Sequence, residues 1–431
     1  MNNGSRRIVV AMLVAALTMF GSLNEAGAET ASGSSVQLQD DFFGMHMRWG
    51  ATTTPWPFVH VGSWRVITAE TEWRGVEPQR GQWRFSHLDS AVQRAALHGA
   101  DVLLSLGQTP TWASSRPQEI VPNGPGASAE PANMADWENY IRVVVARYRG
   151  RIKYYELWNE PYFTEVFGVT GRGHFTGSAA VMAEMARIAK RVINELDPSA
   201  KLVGPACVGR VECIEAFLKA GGGAHIDIIA FHFYASPQLI PAKAQALQAI
   251  ASKYGAQKLP IWNTESGYLV HGTDQATNPQ PQLGESFAYV LSEEQLPGQV
   301  LKAMVFAATS GVKRYYHFSW DIPTMHVMWK NGTEPTPASL GYAQTLRWLR
   351  GSTLSNLKTA DGIVSCNVTS KSGHKGMLVW SVSGTRNYAV PTPFRLTGYE
   401  TLSGSYIARN FATNVDAGEL PILLRQETTL W

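Results

Sequence analysis

YYELWNEPY, residues 154–162, is a short apolar and aromatic run that stops abruptly at Asn159-Glu160-Pro161. A run of this kind closed by a proline reads as a buried strand ending at a rim. Glu160 then stands at the strand's carboxyl end among aromatic rings. Poor solvation there raises a carboxyl's pKa and suits it to donate a proton. A capping or salt-bridging glutamate is the structural alternative. Strict strand alternation sends Asn159 and Glu160 to opposite faces, so both reach one pocket only if the strand bulges or ends there. Pro161 favours an early end.

On either side of this stretch, apolar runs alternate with helical patterns. Residues 41–47, 63–69, 102–106, 154–160, 201–206, 226–234, 259–265 and 313–320 read as eight strands. Helices are expected at 86–99, 135–148, 178–196, 241–254, 292–308 and 340–349. In the fifth of these, Ser292 and Gln295 make a capping box, and Val181, Met185, Ile188 and Val192 line one face of 178–196. The alternation predicts an α/β fold, a (β/α)8 TIM barrel over 41–350. A doubly wound sheet would want a phosphate loop after the first strand, and Gly44-Met45-His46 is not one. After 351, short β-like runs separated by Gly, Ser, Asn and Pro turns predict a small C-terminal β-sandwich-like domain over 351–431.

The chain has 431 residues, 45% hydrophobic and 16% charged, with a net charge of +3. No run of Lys or Arg makes an electrostatic case for nucleic acid. Fourteen tryptophans suit a protein that stacks flat faces such as sugar rings. Residues 1–28 read as a signal peptide, with Arg6-Arg7, an apolar stretch at 8–23 and a small-x-small site at 26–28; 29–40 reads as a linker. The expected location is the periplasm or outside the cell, with inner-membrane anchoring only if the leader stays uncut. Cys207 and Cys213 are close enough to bridge, while three buried thiols remain the alternative. No Cys or His spacing resembles a zinc site, so no metal and no cofactor are expected.

In such a barrel the active site lies at the carboxyl ends of the strands. That rule singles out His46, Arg65, Asn159, Glu160, His232, Tyr234, Glu265 and Trp320. Glu160 and Glu265 end non-adjacent strands and can face each other over the mouth. Paired carboxylates are what glycoside hydrolysis requires, about 5 Å apart in enzymes that retain configuration.

WNEP around Glu160 and WNTESGY around Glu265 resemble the acid/base and nucleophile strands of the clan A glycoside hydrolases, as does WRGVEPQRGQWRFSHLD (73–89) followed by LLSLGQTPTW (103–112). In this order they most resemble family 39, in particular bacterial exopolysaccharide endoglycosidases, over residues 41–350. The tail is similar to the β domain that often follows such barrels.

The resemblance implies Glu160 as general acid/base and Glu265 as nucleophile of a retaining O-glycoside hydrolase. Asn159 would bond the sugar 2-hydroxyl, Tyr234 would donate to Glu265, and Arg65 would add positive charge beside it. His232 and His46 would line the subsite, Trp320 would be its stacking floor, and Trp112 and Trp73 would extend that platform. The expected partner is a polysaccharide or oligosaccharide, cut internally by a monomer. An exo-acting β-glycosidase such as a β-xylosidase, and a silent carbohydrate-binding barrel, stay open as alternatives.

Overall fold

The computed structural model describes residues 35–168, 173–271, 288, 290–328 and 334–426. The expected leader, the first half of the expected linker, the greater part of the loop after the seventh strand and residues 427–431 lie outside them.

Eight strands close a ring. They are β1 (Phe43–His46), β2 (Ser63–Val66), β3 (Asp101–Ser105), β4 (Tyr154–Glu156), β5 (Lys201–Val203, resumed at Cys207–Val208), β6 (Ile229–His232), β7 (Ile261–Ser266) and β8 (Val312–His317). Each pairs in parallel with the next, and β8 with β1. The break in β5 is spanned by a bridge from Val203 to Ile228. Every strand is shorter than its apolar run, because the chain leaves the ladder before its buried residues end.

Helices α1 (Ser86–Leu97), α2 (Met134–Tyr148), α3 (Ala179–Leu196), α4 (Glu212–Lys219), α5 (Ile240–Lys253), α6 (Leu296–Thr309) and α7 (Pro337–Leu349) pack outside the ring. In α3, Met182, Met185, Ile188, Ala189 and Val192 are buried at helical spacing, and the Ser178 hydroxyl accepts from Val181 N at the start. Val181, expected on that face, is only packed at its edge. Ahead of α6, Ser292 and Gln295 exchange the expected reciprocal hydrogen bonds.

The pleat divides each strand between two cores. Leu103, Val203, Ala230, Trp262 and Tyr316 fill the barrel's interior, while Leu104 and Tyr155 face the helices. A Cβ on Gly267 would lie 1.8 Å from the Phe318 carbonyl, so only glycine lets the chain after β7 approach β8 this closely.

The tail is a β sandwich. Strands β9 (Thr353–Ala360), β10 (Ile363–Thr369), β11 (Lys375–Ser381), β12 (Gly398–Glu400), β13 (Tyr406–Ala408) and β14 (Ile422–Arg425) form an antiparallel sheet. Along β11, Leu378 and Trp380 join the barrel's outer core, and Met377 and Val379 face a second cluster with Val415 and Leu424. Buried Glu400 accepts from Trp348 of α7 at 2.9 Å and pairs with Arg347 and Arg425. Val36–Gln37, within the expected linker, instead adds an edge strand by pairing with Thr353 and Leu354. Cys207 and Cys213 are disulfide-bonded with Cα atoms 5.9 Å apart, which rules out three free thiols; Cys366 is a buried thiol.

Candidate active site

The site is assembled where the pleat breaks. β4 stops at Glu156, so the next residues are not bound to alternate. Asn159 bridges to Ala206, Glu160 N donates to the Ala206 carbonyl at 2.9 Å, and Glu160 has φ of 41°, in the left-handed region. That turn lets Asn159 and Glu160 serve one pocket. Across the barrel, the β6–β7 register shifts between Phe231 and His232, so that His232 lies opposite Glu265. The irregularity turns Glu265 inward although Trp262 already points to the interior.

Arg65 of β2 is the hub and is 1% exposed. Its Nε donates to Glu156 Oε2 at 2.7 Å, its Nη1 to Glu265 Oε2 at 2.7 Å, and its Nη2 to Asn159 Oδ1 at 2.7 Å. Nη2 also pairs with Glu156. The Tyr234 hydroxyl donates to Glu265 Oε1 at 2.7 Å. Both Glu265 oxygens are therefore held by donors, which fixes the carboxyl's orientation in the pocket. Because Asn159 accepts from Arg65 through its oxygen, its NH2 group is left to donate toward the pocket.

Glu160 is in a different environment. Its Oε1 lies 2.8 Å from His232 Nδ1, and its Oε2 lies 3.8 Å from His174 Nε2. Burial raises its pKa, with His174 and Arg65 opposing the rise. Burial likewise pushes the His232 imidazole down to about 3, so it is neutral at ordinary pH. One carboxyl thus tends to keep a proton while the other is held by a guanidinium and a phenol. A carboxylate oxygen of each, together with a His232 nitrogen, lies within 4.8 Å of the others.

This trio is also the one group among the described residues with the spacing to hold a metal ion. Its donors suit a cation poorly, since Arg65 and Tyr234 already engage both oxygens of Glu265. A hollow on the outer wall between α1 and α2 is lined by Val92, Leu97, Arg147 and Arg151. It contains no opposed pair of acids.

Six expected residues come together: Glu160, Glu265, Asn159, Tyr234, His232 and Arg65. His46 is 3% exposed and its Nε2 is 3.0 Å from the Thr264 carbonyl, so it supports the site from beneath. The aromatic platform is not formed as expected. Trp320 is 1% exposed with Phe58 against its edge. Trp73 is wholly buried, stacked on Tyr140, with its ring N–H on Glu77. Trp112 is half-buried, with its ring N–H on the Glu77 carbonyl and the Arg80 guanidinium 4.4 Å from its ring. Packing took these rings because each had a neighbour to cover it: Phe58, Tyr140 and Arg80. Sequence reasoning missed Glu156, although period-two alternation from Tyr154 places it inward on the same strand. It also missed His174, Glu72 and Gln108, for which no motif gave a signal.

Comparison with known proteins agrees with this fold. Residues 57–204 match the model for glycosyl hydrolase family 10. A family 39 glycoside hydrolase from the gut symbiont Bacteroides cellulosilyticus WH2 superposes with a TM-score of 0.66 at 15% identity, covering 90% of this chain and 82% of that one. The fold of this chain is similar to that of the family 39 enzyme. A family 39 β-xylosidase from Caulobacter crescentus gives 0.62 at 14% identity, covering 91% and 97%. A family 30 endoxylanase from Clostridium papyrosolvens C71 gives 0.56 at 12%, also covering 91% and 97%.

Proposed function

We propose that the chain is a retaining glycoside hydrolase that acts by double displacement, with Glu265 as nucleophile and Glu160 as acid/base. The reading rests on one observation: two carboxylates in opposed environments, with oxygens within 4.8 Å. That suits the roughly 5 Å of retaining enzymes and is short of the roughly 6.5–9.5 Å that leaves room for an inverting water.

In the first step a Glu265 oxygen attacks the anomeric carbon as the glycosidic C–O bond breaks, and Glu160 gives its proton to the departing oxygen. In the second, Glu160 takes a proton from water, whose oxygen attacks the same carbon and releases Glu265. Arg65 and Tyr234 stabilise the Glu265 charge before attack and after release. His232, being neutral, bonds Glu160 without adding charge. The Asn159 amide donates to the 2-hydroxyl, a contact that strengthens as the oxocarbenium character grows.

The substrate we favour is a polysaccharide of an exopolysaccharide or biofilm matrix, cut internally. The loop from Thr111 to Ala132 gives one wall of a groove; the facing loop lies mostly outside the described residues. An exo-acting β-xylosidase is the second reading, favoured by the β-xylosidase among the structural neighbours. Product length on xylan and on matrix polysaccharide separates the two. Export to the periplasm or beyond is part of the same proposal, supported by the leader's pattern and by the Cys207–Cys213 disulfide, which suits an oxidising compartment. We take the working form to be a monomer.

Glu265→Ala should abolish turnover while leaving the fold intact; near-normal hydrolysis would remove the nucleophile assignment. Glu160→Ala should lose most activity on poor leaving groups and less on aryl glycosides of acidic phenols. Equal losses on both would remove the general-acid assignment.

A further inference from the structure

A second polar pair stands at the barrel mouth and has no part in the steps above. Glu72 follows β2 and Gln108 follows β3, neighbouring strands whose carboxyl ends open on the face that carries Glu160 and Glu265. Glu72 is 2% exposed and Gln108 9%. Gln108 Nε2 donates to Glu72 Oε2.

The main chain fixes the two side chains relative to each other. Trp73 N donates to the Gly107 carbonyl at 2.9 Å, and Arg74 N to the Gln108 carbonyl at 3.0 Å. Gln108 itself has φ of 54°, a left-handed conformation that a non-glycine residue keeps only where its surroundings impose it. Among the described residues, the second oxygen of each side chain, Glu72 Oε1 and Gln108 Oε1, has no hydrogen-bond partner. Neither oxygen is fully enclosed, so on two otherwise buried side chains each is left open to a polar group entering the mouth.

The chemistry of the pair says what would. Burial pushes the Glu72 carboxyl up to about 8, with Arg65 and Glu156 pulling in opposite directions. Near neutrality it is an uncharged acid with an O–H to give, beside an amide oxygen that can only accept. An alcohol group both accepts and donates, so one hydroxyl satisfies both atoms. A carboxylate or phosphate would face the Gln108 oxygen and be repelled.

We propose that Glu72 and Gln108 form a sugar-binding pair that reads one hydroxyl of the ring held at the reacting centre, on its β2–β3 side. This rests on the glycosidase reading and assigns its site a neutral hydroxyl contact.

The test uses 4-nitrophenyl β-D-xyloside, glucoside, galactoside and mannoside, and the monodeoxy analogues of whichever the wild-type protein cleaves fastest. Glu72→Met and Gln108→Leu should each lower kcat/KM on the parent glycoside by about 10- to 100-fold, the range for losing a buried hydroxyl contact. One monodeoxy analogue should be similarly poor for the wild type, and on that analogue alone the variants should lose nothing further. Unchanged kcat/KM in a folded variant overturns the pair, as do equal losses on every analogue. If either variant fails to fold by circular dichroism, the other decides. If both fail, the wild-type series decides, and a series with no single critical hydroxyl also overturns the pair. A wild-type protein inert on all four glycosides fails the underlying reading instead, a separate result.

Discussion

Replacing Glu72 by glutamine should stabilise the protein, by an amount that grows with pH. Burial holds this carboxyl at about 8, against 4.5 for the free group. Between those values the folded chain keeps a proton that the unfolded chain gives up. The stability linked to that proton is complete below about 4.5 and is lost as pH rises through about 8, at about 1.4 kcal/mol per pH unit. Glutamine has the same shape, keeps an oxygen to accept from Gln108, and carries no titrating proton. From pH 5.5 to pH 7.5 the stability gap between variant and wild type should therefore widen by about 3 kcal/mol. At about 2 cal/mol/K of unfolding entropy per residue, that is a widening of about 3–4 °C in Tm. Thermal scans by tryptophan fluorescence at the two pH values measure it. A gap that stays the same at both would mean that Glu72 ionises alike in the folded and unfolded chains, and the account of its burial would be wrong.

Other perturbations test the rest of the network. Arg65→Met should lower kcat by about 100-fold or more, and also lower Tm, because it strips a donor from Glu265 and leaves Glu156 buried without its cation; steady-state kinetics and melting together check this, and a normal kcat would contradict the role given to Arg65. Tyr234→Phe should reduce kcat about tenfold or more with little change in Tm, since one of two donors on Glu265 is lost. His317 is wholly buried with neither ring nitrogen partnered among the described residues, and burial pushes its pKa down to about 3. Below about 6.5 the unfolded chain takes up a proton that the buried imidazole does not, so His317→Phe should flatten the acid-side loss of stability by about 1.4 kcal/mol per pH unit. Urea unfolding between pH 6 and pH 4 measures that slope.

The ring of strands was legible because a closed parallel barrel buries both faces of each strand, which leaves continuous apolar runs such as 226–234 that need no tertiary information to see. The paired acids were legible for a related reason: a charged residue at the end of such a run has few roles other than chemistry. What the sequence did not disclose is which polar residues share the interior. Glu156 looks like a gap in an aromatic run until Arg65 is placed 2.7 Å away. Trp73 and Trp112 carry the right chemistry for sugar stacking, yet Tyr140 and Arg80 cover them. Such competition between packing and exposure is decided by residues distant in sequence. The irregularity at Glu265 belongs to the same class, since pleat alternation alone would have separated it from its neighbours, whereas the early end of the strand before Glu160 was signalled by Pro161.

Glu265 can be tested by trapping. The protein is incubated with the 2,4-dinitrophenyl 2-deoxy-2-fluoro derivative of the sugar it cleaves best, and the digest is read by mass spectrometry. The account predicts one fluoro-sugar bonded to the peptide containing Glu265, with loss of activity in step with labelling. An active protein labelled at Glu160, or one that releases the inverted anomer and takes no label, would contradict it.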